Sequence, residues 1–288
     1  MARRPFDPGE LGLRKTEYRR GDVLDPGAVA ELVADADVVV HLAFIIMGGR
    51  EESRRINLEG SRNVFAAAAE AAPRVRRLVY TSSVAAYGFH AGNPQPLTED
   101  VPARGTDAHP YSSQKAELEA TLFEQVAGSE LETYVLRPCI VAGPDALGML
   151  ESIPWPLRRT PLAVLPDPGT RFQLVHHDDV ASALVAATRG VGEPGVYNLA
   201  GPGELTAKDL ARELGWRTVP VPRATVAVAA AGASLPLVPA KAKWLNAFRV
   251  PVLMSFARAR KQLRWRPRHD AESTLRTTVA AARARGLV

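Results

Sequence analysis

Between residues 15 and 142 the hydrophobic positions fall in blocks, each a short apolar run followed by a longer stretch with helical spacing. Proteins built on a parallel sheet with helices packed against it have this pattern. The first apolar run, residues 16–19, is short. Residues 38–43, VVVHLA, are almost continuously apolar, as a strand buried on both faces requires. Residues 57–72 carry Val64, Phe65 and small residues at helical spacing, which predicts a helix opening at Asn57. Residues 77–82 predict a third strand, 111–126 a second helix and 133–137 a fourth strand. The expected architecture is α/β, with a doubly wound parallel sheet.

After Pro144 the alternation breaks, with prolines at 154, 156, 161, 166 and 168, and turn-forming residues at that density mark irregular chain. The expected division is a first domain over residues 1–144 and a smaller, irregular lobe over 145–288. Within the second part, 172–176 and 196–199 predict strands and 179–189 a helix, and the stretch 172–200 is expected to return to the first domain. Thr206 and Asp209 stand at capping-box spacing before a helix over 206–214, and helix-period residues recur over 271–284.

Composition removes several classes. An apolar fraction of 46% in 288 residues excludes a disordered chain. The Ala-rich stretch 224–239 is interrupted by Gly232, Pro236 and Pro239 and is shorter than the ~20 residues of a bilayer crossing, so no membrane is expected. The net charge of +5 is spread over the chain, and its longest basic cluster, 258–268, is broken by Leu263, Trp265 and Pro267. With no recognition motif nearby, no nucleic-acid partner is expected. The single Cys139 excludes an internal disulfide and a cysteine-rich zinc site. With no apolar leader in residues 1–9, the expected location is the cytoplasm.

Tyr111 and Lys115 lie four apart at the start of the second predicted helix, so their side chains share one face about a turn apart. A lysine ammonium there favours phenolate and makes the tyrosine a proton donor and acceptor near neutrality. The plain alternative is a helix surface pair. Leu78-Val79-Tyr80-Thr81-Ser82-Ser83 runs an apolar strand into hydroxyl residues and brings Ser83 to the carboxyl end of the strand, where open α/β sheets bind ligands. A turn or a helix cap is the alternative for Ser83. His41-Leu42-Ala43 and Arg137-Pro138 end two further strands at the same edge. His176, His177, Asp178 and Asp179 are adjacent, and residues adjacent on a strand face opposite ways, so a helix cap and loop anchor is expected there and no metal.

Taken together, these segments resemble the extended short-chain dehydrogenase/reductases, the NAD-dependent epimerase/dehydratase family. The resemblance rests on the order and spacing of Gly21-Asp22-Val23-Leu24-Asp25, VVVHLA, Ile56-Asn57-Leu58-Glu59-Gly60 with Ser61-Arg62-Asn63-Val64, Thr81-Ser82-Ser83-Val84-Ala85-Ala86-Tyr87-Gly88, Tyr111-Ser112-Ser113-Gln114-Lys115, Leu136-Arg137-Pro138, Val175-His176-His177-Asp178-Asp179-Val180-Ala181 and Tyr197-Asn198-Leu199-Ala200-Gly201. It implies a Rossmann-type fold, NAD(P) as cofactor, Tyr111 as acid/base, Lys115 as its partner and ribose ligand, and Ser83 as the hydroxyl that polarises the substrate oxygen. It further implies that Asp22 and Val23 meet the adenine, that Leu42 and Ala43 line the cofactor channel and that Pro138 lies near the nicotinamide. Asn57 carries over as a cofactor-side residue or, equally, as a helix N-cap. A homodimer through the helices after Asn57 and around Tyr111 is implied too, with Ala66 to Ala69 permitting close approach.

One family feature is not found: the glycine-rich turn after a first strand, where backbone N–H groups and a helix N-terminus hold a pyrophosphate. Gly190, Gly192 and Gly195 have the literal spacing, but they follow a predicted helix and precede a strand, the reverse of the required order. The expectation is a sheet lacking its first strand–helix unit, through a mis-assigned start, a truncated chain or a real degenerate protein. Arg3 and Arg4 tilt the cofactor weakly to NADP(H) over NAD(H). The function expected is hydride transfer between a nicotinamide and a carbinol or carbonyl carbon of a small molecule. A 4,6-dehydratase is disfavoured because Val84-Ala85-Ala86 offers no acid after Ser83, and Arg137-Pro138 leaves a steroid-like or aliphatic substrate open. The competing class is a binding or sensor protein that keeps the fold without turnover.

Overall fold

The computed structural model describes residues 1–46, 50–153, 162–167, 169–222 and 250–288. Its centre is a four-stranded sheet of β1 (Val38–His41), β2 (Arg77–Thr81), β3 (Glu132–Pro138) and β8 (Gly195–Leu199), all parallel and in that spatial order. The fold is α/β and Rossmann-like, as the block pattern predicts. On one face α1 (Pro26–Ala34), α2 (Arg50–Glu70) and α3 (Pro110–Val126) cover Leu78, Tyr80 and Val135 with Val29, Val33, Phe65, Leu118 and Leu122. On the other, α5 (His177–Thr188) covers Val79, Tyr134 and Leu136, joined by Leu263 and Trp265. Alternate residues of one strand thus serve two cores, and β2 and β3 accordingly read as unbroken apolar runs.

A second, smaller core joins β4 (Ile140–Ala142) and β7 (Leu174–His176), a parallel pair, to α4 (Gly148–Glu151), α6 (Ala207–Leu214) and α7 (Ala271–Ala284) through Leu150, Leu174, Leu214, Leu275 and Val279. Two further pairs lie beside it, β5 (Leu162–Asp167) with β10 (Arg217–Pro222), and β6 (Arg171–Phe172) with β9 (Leu205–Thr206). The expected capping box is present: Thr206 Oγ1 accepts from the Asp209 N–H while the Asp209 carboxylate accepts from the Thr206 N–H at 2.8 Å. Gly190 and Gly192 lie in the loop between α5 and β8, and Gly195 opens β8.

Several expectations are corrected. Residues 16–19 form no strand; there is a single parallel bridge between Ala2 and Arg20. β1 ends at His41 and, among the described strands, pairs only with β2, so it lies at an edge; Val38 and Val39 pack against the two cores, but Val40 is 40% exposed, so burial on both faces is incomplete. The predicted strand 172–176 breaks at Gln173 into β6 and β7, which join different pairs. α2 begins at Arg50, seven residues before Asn57. Its first turns are Arg-Glu-Glu-Ser-Arg-Arg, polar all round, so hydrophobic periodicity does not reveal them, whereas Glu51 and Glu52 in the first turn suit the helix dipole. Prolines 154, 156, 161 and 168 and the apolar stretch 224–239 lie outside the described residues, as does most of the Leu- and Val-rich stretch 235–253, which the sequence assigns to packing.

Candidate active site

Because the strands are parallel and in register, with His41 beside Tyr80 and Thr81 beside Leu136, their carboxyl ends form one edge. Ser83 leaves β2 there and caps a short 3-10 turn, Val84–Tyr87, its Oγ accepting from the Ala85 N–H at 3.2 Å. The cap reading of Ser83 is therefore correct, and it does not preclude a second contact: Ser83 is also hydrogen-bonded to the Tyr111 side chain.

α3 is brought to the same edge by three devices. His109 caps it, accepting from the Ser112 N–H. Ser112 donates to the Ala85 carbonyl at 2.6 Å, fastening the helix start to the turn after Ser83. Gly105, at φ +63, donates to the Ala86 carbonyl and passes so close to α3 that a Cβ would stand 2.9 Å from the Ser113 Cα, a position only glycine fills without strain.

Lys115 is 3% exposed, and its Nζ donates to the Thr81 carbonyl at 2.9 Å and to the Tyr80 hydroxyl at 3.3 Å. The Phe44 ring centroid lies 3.9 Å from it and that of Tyr111 6.0 Å. Burial pulls the Lys115 pKa down to about 7, opposed by the charge of Glu119. Burial pushes the Tyr111 phenol up, and the Ser83 hydrogen bond opposes that shift. The expected downward shift of the tyrosine is thus not what the site shows, because loss of water outweighs the Ser83 contact.

Ser83, Tyr111 and Lys115 come together, as the sequence suggests. Leu42 and Ala43 follow β1 at the same edge, both exposed, and Pro138 ends β3, buried. Asp22 and Val23 are held against α2: Asn63 Nδ2 donates to the Val23 carbonyl at 2.9 Å, and Asp22 Oδ1 accepts from the Leu24 N–H. Asn57 is corrected. It lies inside α2, 2% exposed, and caps nothing; its amide bonds the Ile45 N–H and carbonyl and the Gln114 side chain, clamping the loop after β1 to α3.

The cluster at 176–179 is corrected in its geometry. α5 starts at His177, so strand alternation ends, and ligand atoms of His176, His177 and Asp178 lie within 4.8 Å of one another. The two imidazoles stack at 4.4 Å with an interplanar angle of 28°. The helix cap is His176, whereas Asp179, 1% exposed, anchors the backbone of Arg268 and His269.

Three features escape a linear reading. Glu119 and Arg137, both buried, form an ion pair in which Ser82 donates to the Glu119 carboxylate at 2.5 Å, and Arg137 Nε does so at 3.0 Å. Its signal is the charge of Arg137 at the carboxyl end of the otherwise uncharged run 133–137, with Glu119 one turn past Lys115. His41 Nε2 lies 2.8 Å from Ser61 Oγ and its ring stacks on Tyr80. Phe44 meets Tyr111 edge-on at 5.4 Å.

The NAD dependent epimerase/dehydratase family model matches residues 1–200. The chain belongs to that family. Among curated relatives it is 27% identical over 264 residues to the uncharacterized protein y4nG of Sinorhizobium fredii, covering 88% of this chain and 65% of that one. It is 36% identical over 140 residues to human 3 beta-hydroxysteroid dehydrogenase type 7, covering 43% and 36% respectively. The chain spans roughly half to two thirds of the length of the first curated relatives it matches. The family fold recurs in WbmG of Bordetella bronchiseptica in complex with NAD, with a TM-score of 0.68, 19% identity, and coverage of 94% and 80%. It recurs in RMD of Pseudomonas aeruginosa complexed with NADPH, with a TM-score of 0.68, 20% identity, and coverage of 93% and 88%. Among the described residues no helix is long and apolar enough to cross a membrane.

Proposed function

We propose that the chain carries the reacting site of an NAD(P)-dependent oxidoreductase or epimerase acting on a secondary alcohol or ketone. Tyr111 is its acid/base, Ser83 the hydroxyl that holds the substrate oxygen, and Lys115 the ammonium that binds the cofactor ribose. The observation that carries this reading is the convergence of Ser83, Tyr111 and Lys115, from two elements, at the carboxyl edge of the sheet.

The residues present fit a nicotinamide nucleotide. Among the described residues no carboxylate ion-pairs with Lys115, whose two hydrogen bonds go to neutral oxygens, leaving its charge for a ligand. Leu42, exposed beside the site, offers apolar surface, with Ala43 and Pro138 as its neighbours at the same edge. Asn57 has its polar atoms committed within the chain and leaves the cofactor set. The outer edge of β1 is where a glycine-rich strand–helix unit would pair. Arg3 and Arg4, both exposed, sit beside the Ala2–Arg20 bridge and support the lean to NADP(H).

When bound, the nicotinamide supplies or accepts the hydride. The Tyr111 phenol, held protonated by burial, gives its proton to the carbonyl oxygen as alcohol forms and takes it back in the reverse direction. Ser83 fixes that oxygen. The nearby ammonium of Lys115 lowers the cost of the phenolate. Phe44, His109 and Phe89 form a row of rings beside Tyr111, which supports an apolar carbinol as substrate. Pairing of two chains through α2 and α3 stays part of this proposal, although Ala67 and Ala68 belong to the chain's own core and Ala69 packs against it, so close approach rests on Ala66. The test is calorimetric titration of NADH and NADPH into the parent and Lys115→Met. Loss of a charged hydrogen bond weakens binding roughly tenfold or more; equal affinity overturns the assignment of Lys115.

A further inference from the structure

Tyr80 lies in β2, 1% exposed, its ring stacked on His41 at 5.8 Å and edge-on to Phe65 at 5.2 Å. A phenylalanine ring would make both contacts. The hydroxyl therefore has no packing role, yet burying it is costly unless it is hydrogen-bonded, and it takes its hydrogen bond from Lys115 Nζ at 3.3 Å.

The surroundings of Lys115 leave that oxygen an unusual weight. On its own helix it faces Tyr111 and Glu119; on β2 it faces Tyr80 and the Thr81 carbonyl; His41 stands on β1 and Phe44 on the loop beyond it. The Glu119 carboxylate is engaged by Arg137 of β3 and by Ser82, so its attraction acts from a distance. Among the described residues the direct oxygen contacts of Nζ are two, and one is Tyr80.

We infer that Tyr80 is a positioning residue for this site: its hydroxyl holds the Lys115 ammonium at the end of α3 that faces the substrate and keeps it charged. The inference rests on the Tyr111–Lys115 reading above. An acceptor on an ammonium favours the charged form, and removing it favours the neutral one. Lys115, already pulled down to about 7 by burial, is poised where such a change alters its charge near neutral pH.

Tyr80→Phe keeps the ring and removes the oxygen. With 13C-labelled lysine the Lys115 resonance can be followed against pH among the six lysines of the sequence, and identified by its loss in Lys115→Met. The titration midpoint falls by roughly half a pH unit or more in the Phe variant, and the alkaline limb of kcat/KM moves down with it, so that activity lost at alkaline pH returns as the pH is lowered. An unmoved midpoint overturns the inference, and so does an activity loss equal at every pH, which marks a merely structural role. A thermal melt matching the parent confirms that the Phe variant is folded. The midpoint is read without turnover, so failure of this inference is distinguishable from failure of the Tyr111 reading, which shows as undiminished turnover in Tyr111→Phe.

Discussion

A buried ammonium with no carboxylate at its nitrogen is a burden on the fold, and Lys115→Met measures it. The Lys115 pKa of about 7 stands roughly 3.4 below its ordinary ~10.4, and at ~1.36 kcal/mol per pH unit the charged side chain costs about 4–5 kcal/mol when protonated. Methionine removes that cost but strips a donor from the Thr81 carbonyl and the Tyr80 hydroxyl, at about 1–2 kcal/mol each. The net expectation is a gain of up to about 3 kcal/mol at pH 6. The folded pKa lies below the unfolded one, so between pH ~7 and ~10 the unfolded chain holds the extra proton and the stability of the parent rises with pH. Above ~10 the lysine is neutral in both states and the advantage of methionine reverses. Urea unfolding at pH 6, 7.5 and 9 should show the parent gaining stability along the whole series, and the variant gaining only the small His41 contribution between pH 6 and 7.5 and staying flat above it. A variant less stable than the parent at pH 6, or two parallel pH curves, would refute the reasoning.

Other perturbations follow from the same contacts. Burial, with a smaller push from Lys115, lowers the His41 pKa to about 4; the stability this confers is present above ~6.5 and lost as pH falls through 4, about 3 kcal/mol in all, and His41→Gln should shift acid unfolding, followed by circular dichroism, to lower pH. Glu119→Leu leaves Arg137 buried and unpaired and should cost about 3–5 kcal/mol in urea unfolding, with much of it recovered when Arg137→Leu is added. Asn57→Ala releases Ile45, so hydrogen exchange should quicken over residues 42–46 while β2 and β3 keep their protection.

The parts legible in the sequence are those whose physics is local. β2, β3 and α3 each carry their own apolar signature, and Tyr111, Lys115 and Ser83 are placed by helix periodicity and by the end of a strand. What escapes depends on partners distant in the chain. The start of α2 is hidden because its polar first turns bury little, and Asn57 looks like a cap until Ile45 and Gln114 are seen around it. VVVHLA reads as doubly buried because periodicity reports apolarity and not neighbours; among the described strands β1 pairs with β2 alone, and Val40 is exposed. The histidines at 176 and 177 meet because a helix starts between them, which strand alternation does not anticipate. Tyr80 reads as one more core aromatic until Lys115 is placed against its hydroxyl.

The central claim, that Tyr111 moves a proton at a carbon undergoing hydride transfer, is tested most directly by turnover in Tyr111→Phe. Parent and variant are each incubated with oxidised and reduced NAD and NADP and with panels of nucleotide sugars, hydroxysteroids and aliphatic alcohols and ketones, and nicotinamide absorbance and substrate epimerisation are recorded. The account predicts turnover by the parent, with the variant folded and slower by about 10²–10⁴. Turnover by the variant at the parent's rate, or binding of cofactor by the parent with no turnover of any substrate class, would contradict it.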